Sequence, residues 1–155
     1  MSWNIEVMCI RDKKLRLDAA VPDVFGPTGE QLGFEEATSA TRDDQLSAAR
    51  IGEWIVVIDV GCRLSSALED GMLDEVIQGR DVHVFCVADS PFHAHYRNGK
   101  KVSERDGTKA CLAALRGRAR DRKDGELVAW DLLHEQTGLA MSTDLFDAKY
   151  AGYAP

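Results

Sequence analysis

The chain has 155 residues, with 19 Lys or Arg against 26 Asp or Glu, 45% hydrophobic content and 7% aromatic content. A globular chain of that length buries roughly 68–70% of the surface its unfolded form exposes, enough for one domain over residues 1–155 without disulfide staples. No run approaches the ~18 apolar residues of a spanning helix and the start alternates rather than forming a secretory core, so the expected location is the cytoplasm, with no membrane association.

Residues 2–11 read as a strand, with Trp3, Ile5, Val7 and Cys9 as the core face and Asn4, Glu6, Met8 and Ile10 opposite. A short helix or irregular segment over 15–25 runs into a loop marked by Pro22, Gly26, Pro27 and Gly29, and 31–39 allows a strand before a turn at Arg42-Asp43-Asp44. Residues 53–60, β-branched and apolar on both faces, have the pattern of a central strand covered on both sides, with 81–88 as its expected neighbour. Between them Ser66 and Glu69 have capping-box spacing ahead of Leu68, Met72, Leu73, Val76 and Ile77, and Gly79 ends that helix.

Phe92, Ala94 and Tyr96 alternate with His93, His95 and Arg97, and Asn98-Gly99 is a hairpin turn leading into residues 101–105. The period then changes from two to 3.6. Thr108 caps one expected helix, a second ends at Gly138, a short third begins at Ser142 and contains Tyr150, and the Gly-Tyr-Ala-Pro tail is expected to fray. Strands followed by helices predict an α+β fold, a largely antiparallel sheet with C-terminal helices packed on one face.

Chemistry is thinly signalled. Cys9, Cys62, Cys86 and Cys111 form no CxxC pair, which favours a reducing compartment over a disulfide framework. His83, His93 and His95 can bring imidazoles to one metal, with Asp59 or Asp89 beside them, and that cluster defines an alternative reading as a small metal-dependent hydrolase. The competing reading makes His93, His95 and Arg97 the solvent face of the hairpin. Cys62, beside Arg63, is a candidate nucleophile, and Asp59 is the best single acid–base candidate, or else an acceptor for the loop after it. No phosphate-binding glycine motif is present. No catalytic residue, resident metal or cofactor is assigned, and the chain reads as non-enzymatic.

Residues 97–124 contain ten Lys or Arg against four acids, about +6, which leaves about −13 on the rest of a chain whose net charge is −7. The basic stretch at 109–123, with Arg116, Arg118, Arg120, Arg122 and Lys123, offers phosphate or nucleic-acid binding as a further alternative, but it lacks interleaved aromatics and nucleic acid is not the expected partner. The acidic remainder suits a cationic protein instead.

Gly52 to Asp59, the run Val82 to Arg97 with its Val-Ala-Asp and His-Tyr-Arg-Asn-Gly segments, and Glu135-Gln136-Thr137-Gly138-Leu139 ahead of Asp144-Leu145-Phe146 resemble a group of small uncharacterised bacterial single-domain α+β proteins. Some of these are similar to immunity proteins that neutralise polymorphic toxins. The resemblance covers about residues 50–150 and brings no site motif. It implies a stoichiometric protein-binding module whose acidic face covers a toxin, and clustering picks out Glu35, Glu36, Asp43, Asp44, Glu69, Asp70, Asp74 and Glu75 as the expected partner-binding acids.

Overall fold

The alternation that opens the chain becomes β1 (Ile5–Arg11), a strand near the middle of the sheet with apolar side chains buried on both of its faces. The computed structural model describes residues 3–116 and 124–155. Among these, β2 (Gly26–Leu32), β3 (Leu46–Ile51), β4 (Trp54–Asp59), β5 (Asp81–Val87), β6 (Phe92–Arg97), β7 (Lys100–Asp106) and β8 (Tyr150–Ala154) join β1 in one sheet, in the spatial order β2-β8-β3-β4-β1-β5-β6-β7. Every neighbouring pair is antiparallel.

Two apolar layers lie on opposite faces. On one, Val7, Cys9, Val56 and Phe85 meet α1 (Phe34–Ala37), α4 (Thr108–Ala113) and α5 (Gly125–Thr137). On the other, Met8, Ile10, Val57 and Val84 meet a 3-10 turn at Leu17–Ala20 and the short helices α2 (Leu64–Glu69) and α3 (Asp74–Ile77). Taking a large aliphatic or aromatic side chain fully out of water contributes about 1.5–3 kcal/mol, so strands apolar on both faces are driven to the centre of such a sandwich. The C-terminal helices do pack on one face, as the change of period predicts.

The longest helix is set by its ends. Asp124 accepts from the amides of Glu126 at 2.9 Å and Leu127 at 3.4 Å, and Gly138 closes the helix in the left-handed region at φ 81. Gly125, at its first turn, lies so close to the β5–β6 connection that a Cβ there would meet the Asp89 carbonyl oxygen at 2.1 Å.

Several expectations are corrected. Both faces of β1 are core, not the Ile5–Val7–Cys9 face alone, because Met8 and Ile10 are covered by the α2 side. The 53–60 strand and the 81–88 strand are not neighbours; β1 lies between them. The glycine- and proline-rich segment is β2, at an edge where Pro27 can be accommodated, and 34–37 is a helical turn rather than the end of a strand. Ser66 caps nothing: α2 starts at Leu64, and the expected long helix breaks at residues 70–73 into α2 and α3. A π turn at Met141–Leu145 replaces the start of the last helix, and the tail is no frayed end. It is β8, paired with β2 and β3, with Tyr150 and Tyr153 both buried.

Candidate functional site

The loop after the first 3-10 turn carries Pro22, Asp23, Val24 and Phe25, and the break between α2 and α3 carries Gly71 and Met72. Val24 remains 62% exposed and Met72 55% exposed, although both are large and apolar. Around them Phe25, Leu46, Leu64 and Ala67 line an apolar hollow of about 350 Å³ with Asp70 also in its wall. Pro22 and Met72 also line a second hollow of about 460 Å³, where the charged residues are Asp23, Asp74, Glu75 and Arg80. Arg80 is engaged by the protein itself. Its Nε donates to Asp12 at 2.7 Å and its Nη1 to the Val76 carbonyl at 3.0 Å, which leaves the three acids to set the potential of the hollow. An apolar site and an acidic site thus share one ridge, formed by Pro22 and Met72.

The eight acids expected from the sequence separate. Asp70, Asp74 and Glu75 line the paired hollows. Asp43 and Asp44 act on Arg63, in the wall of the apolar hollow, where Asp59 above all, and then these two, hold the guanidinium in its charged form. Glu69 pairs instead with Lys101 at 3.7 Å. Glu35 and Glu36 belong to α1, on the opposite side of the sheet, and Glu36 caps its own helix by accepting from Gly33 N at 3.2 Å. Asp23, Val24 and Met72 are missed by charge clustering. The available signal is two large apolar residues, Val24 and Phe25, inside a segment punctuated by proline and glycine, with no period that would bury them.

Asp59 is a structural acceptor. Its carboxylate, fully buried, accepts from Gly61 N at 2.8 Å, Arg63 N at 2.6 Å and Arg63 Nη2 at 2.7 Å, which folds the β4–α2 connection around it. Arg63 is therefore spent on Asp59 and does not activate Cys62. That thiol is pushed up by the neighbouring Cys86 thiol, by burial and by the nearby Glu6 and Asp59, so the expectation of a thiolate favoured by Arg63 is overturned.

The three histidines do meet, on the α5 side of the sheet. His83 and His95 are cross-strand partners with rings stacked 4.0 Å apart, and Phe85 and His93 form the next pair, with ring centroids at 4.6 Å. His93 is fully buried, so the reading of it as a solvent-facing residue fails. The close metal-ligating set among the described residues is Asp81, His83 and His95, whose ligand atoms lie within 4.8 Å of one another; Asp59 and Asp89 are not in it. Hydrogen bonding sets the chemistry. Arg105, which can only donate, lies 2.9 Å from His93 Nδ1, and His93 Nε2 lies 3.0 Å from His83 Nδ1.

Burial first, and then the charges of His95, Arg105 and their neighbours, pull His83 down to about 4 and His93 to about 3, so both rings are neutral near pH 7. With Nδ1 of His93 accepting, its Nε2 carries the proton and donates to His83 Nδ1; the proton of His83 is then on Nε2. Neither nitrogen of His83 offers a free lone pair. Cation binding there requires both rings to exchange tautomers and Arg105 to withdraw. His95 is hydrogen-bonded to Asp81, whose carboxyl, against the upward push of burial, is held below the usual carboxylate range by that bond.

No family model, curated protein or solved structure matches the chain. Among the described residues no helix is long and apolar enough to cross a membrane. Of the basic stretch, Arg118, Arg120, Arg122 and Lys123 lie outside the described residues; Arg116 is described, largely exposed, with its Nε 3.7 Å from Glu135.

Proposed function

We propose that the protein is a non-enzymatic binding module of the cytoplasm whose partner is a cationic protein, seated on the paired hollows beside Pro22 and Met72. The observation that carries this reading is the exposure of Val24 and Met72 beside an apolar hollow that adjoins a hollow holding Asp23, Asp74 and Glu75. Such a surface suits a segment that offers an apolar side chain next to Lys or Arg: burial of the first supplies affinity, and the acids supply steering and register. In the form favoured by the resemblance in residues 50–150, the partner is a bacterial toxin and binding neutralises it. The hydrolase alternative is less well supported, because the Arg105–His93–His83 chain occupies the lone pairs that a metal would need.

The test uses tagged protein as bait in lysate of its source organism, at low and at moderate salt. A basic protein recovered near stoichiometric yield by the wild type and by Phe146→Arg, but not by Met72→Arg, supports the reading; Phe146 is an exposed aromatic in a different hollow. Recovery unaffected by Met72→Arg and by Asp74→Asn with Glu75→Gln would overturn it.

A further inference from the structure

Cys62 and Cys86 come from segments separated by α2 and α3, and the sheet brings them together. In the register across β4, β1 and β5, Glu6 faces Asp59 on one side and Cys86 on the other, so these three share a row on the α2 face. Asp59 folds the loop after β4 so that Cys62 takes the left-handed conformation at φ 55, which non-glycine residues rarely adopt. In that conformation Cys62 reaches back over the start of β1, with its Sγ 3.4 Å from the Asn4 carbonyl oxygen and 3.8 Å from the Asn4 side-chain oxygen, beside the row that holds Glu6 and Cys86. Each of the two thiols is near enough to shift the other's ionisation. Both thiols are free and only partly buried, within reach of a small solute.

We propose that Cys62 and Cys86 form an oxidation site that closes to an intramolecular disulfide when the protein meets a hydroperoxide. The two thiols are unequal. The Cys62 proton is held by acceptors, with the Asn4 carbonyl and side-chain oxygens 3.4 and 3.8 Å and the Val60 carbonyl 3.9 Å from its sulfur, and this thiol is pushed upward. Cys86, in contrast, is held below its ordinary range by the neighbouring Cys62, against burial and Glu6. Cys86 is therefore the thiol that ionises and attacks. Its sulfur takes one peroxide oxygen to give a sulfenic acid, and the other oxygen leaves as hydroxide, which becomes water on protonation. The Cys62 sulfur then attacks the sulfenic sulfur, the S–S bond forms, and the sulfenic oxygen leaves as a second water with the Cys62 proton. In sum, two thiols and one hydrogen peroxide give one disulfide and two waters.

Cys9 and Cys111 take no part. Both are fully buried, and burial raises both thiols, Cys111 to about 11.

The probe is hydrogen peroxide on the intact folded protein, followed by unfolding, alkylation with a maleimide and mass analysis. The expected product has lost two hydrogens and labels at two of its four thiols, with a reducible link between the peptides holding residues 62 and 86. The oxidised form should melt several degrees higher than the reduced form, and dithiothreitol should reverse the shift. Cys62→Ser should stop at a sulfenic acid on Cys86 that dimedone traps, while Cys86→Ser should leave Cys62 unlabelled by dimedone. Four reactive thiols after oxidation, a link through Cys9 or Cys111, or a link only between two chains would overturn the assignment, and none of these readouts on the wild type depends on a variant folding.

Discussion

His93 donates its Nε2 proton to Nδ1 of His83 across 3.0 Å, and this one bond joins two imidazoles that the fold keeps neutral. Their pKa values fall from an unfolded value near 6.5 to about 4 and about 3. The neutral forms are favoured in the fold, so the stability they support is complete above about pH 6.5 and is lost as pH falls toward the folded values. One pH unit below the unfolded value, where few carboxylates titrate, each ring should already cost about 1.4 kcal/mol. Urea unfolding at about pH 7.5 and about pH 5.5 measures it. A flat midpoint across that interval would show that the rings take up protons in the native state.

Asp59 organises the β4–α2 connection through two backbone amides and the Arg63 guanidinium. Asp59→Ala should destabilise the protein by about 1–3 kcal/mol, because it removes the buried carboxylate that accepts these charge-assisted bonds from the more exposed Gly61 and Arg63. It should also speed hydrogen exchange at the Gly61 and Arg63 amides more than at β7. Unchanged exchange at those two amides would mean that the loop holds its shape without the carboxylate.

Gly125→Ala should be destabilising although alanine is the better helix former by about 1 kcal/mol. A Cβ would come within 2.1 Å of the Asp89 carbonyl oxygen and 2.7 Å of its carbon, both backbone atoms. Overpacking of this kind costs about 1–3 kcal/mol. A raised melting temperature would show that the helix start can move away from the β5–β6 connection without penalty.

Met72→Arg and Val24→Arg should leave unfolding stability within about 0.5 kcal/mol of wild type, since neither side chain is buried. Denaturation of the two variants checks this. The result matters for binding, because a loss of partner capture then reports the surface and not the fold.

Local pattern was enough where one period decides the outcome. The β-branched run at 54–59, the Asn98-Gly99 hairpin, with φ 52 and 81 at its two central residues, and the Gly138 stop all follow from rules that act within a few residues. The insertion of β1 between β4 and β5 and the return of the tail as β8 are pairings between distant segments, which no local period encodes. The histidine cluster was legible because His83, His93 and His95 share strand parity. Its hydrogen-bond direction was not, because that depends on Arg105, a residue on the next strand. The paired hollows were half legible: their acids stand out by charge, whereas Val24 and Met72 become distinctive only once their exposure is known.

An open antiparallel sheet has two borders, and both are guarded here. β2, at one end, contains Pro27, which lacks an amide proton, and its pairing with β8 slips between Pro27 and Gln31. β7, at the other, presents Lys100, Lys101, Glu104, Arg105 and Asp106 within seven residues. A second chain adding itself as a ninth strand would meet an interrupted ladder on one side and a row of charges on the other. The sheet thereby resists growth by backbone pairing, which leaves recognition of a companion to the side chains of the loops and helices that cover its faces.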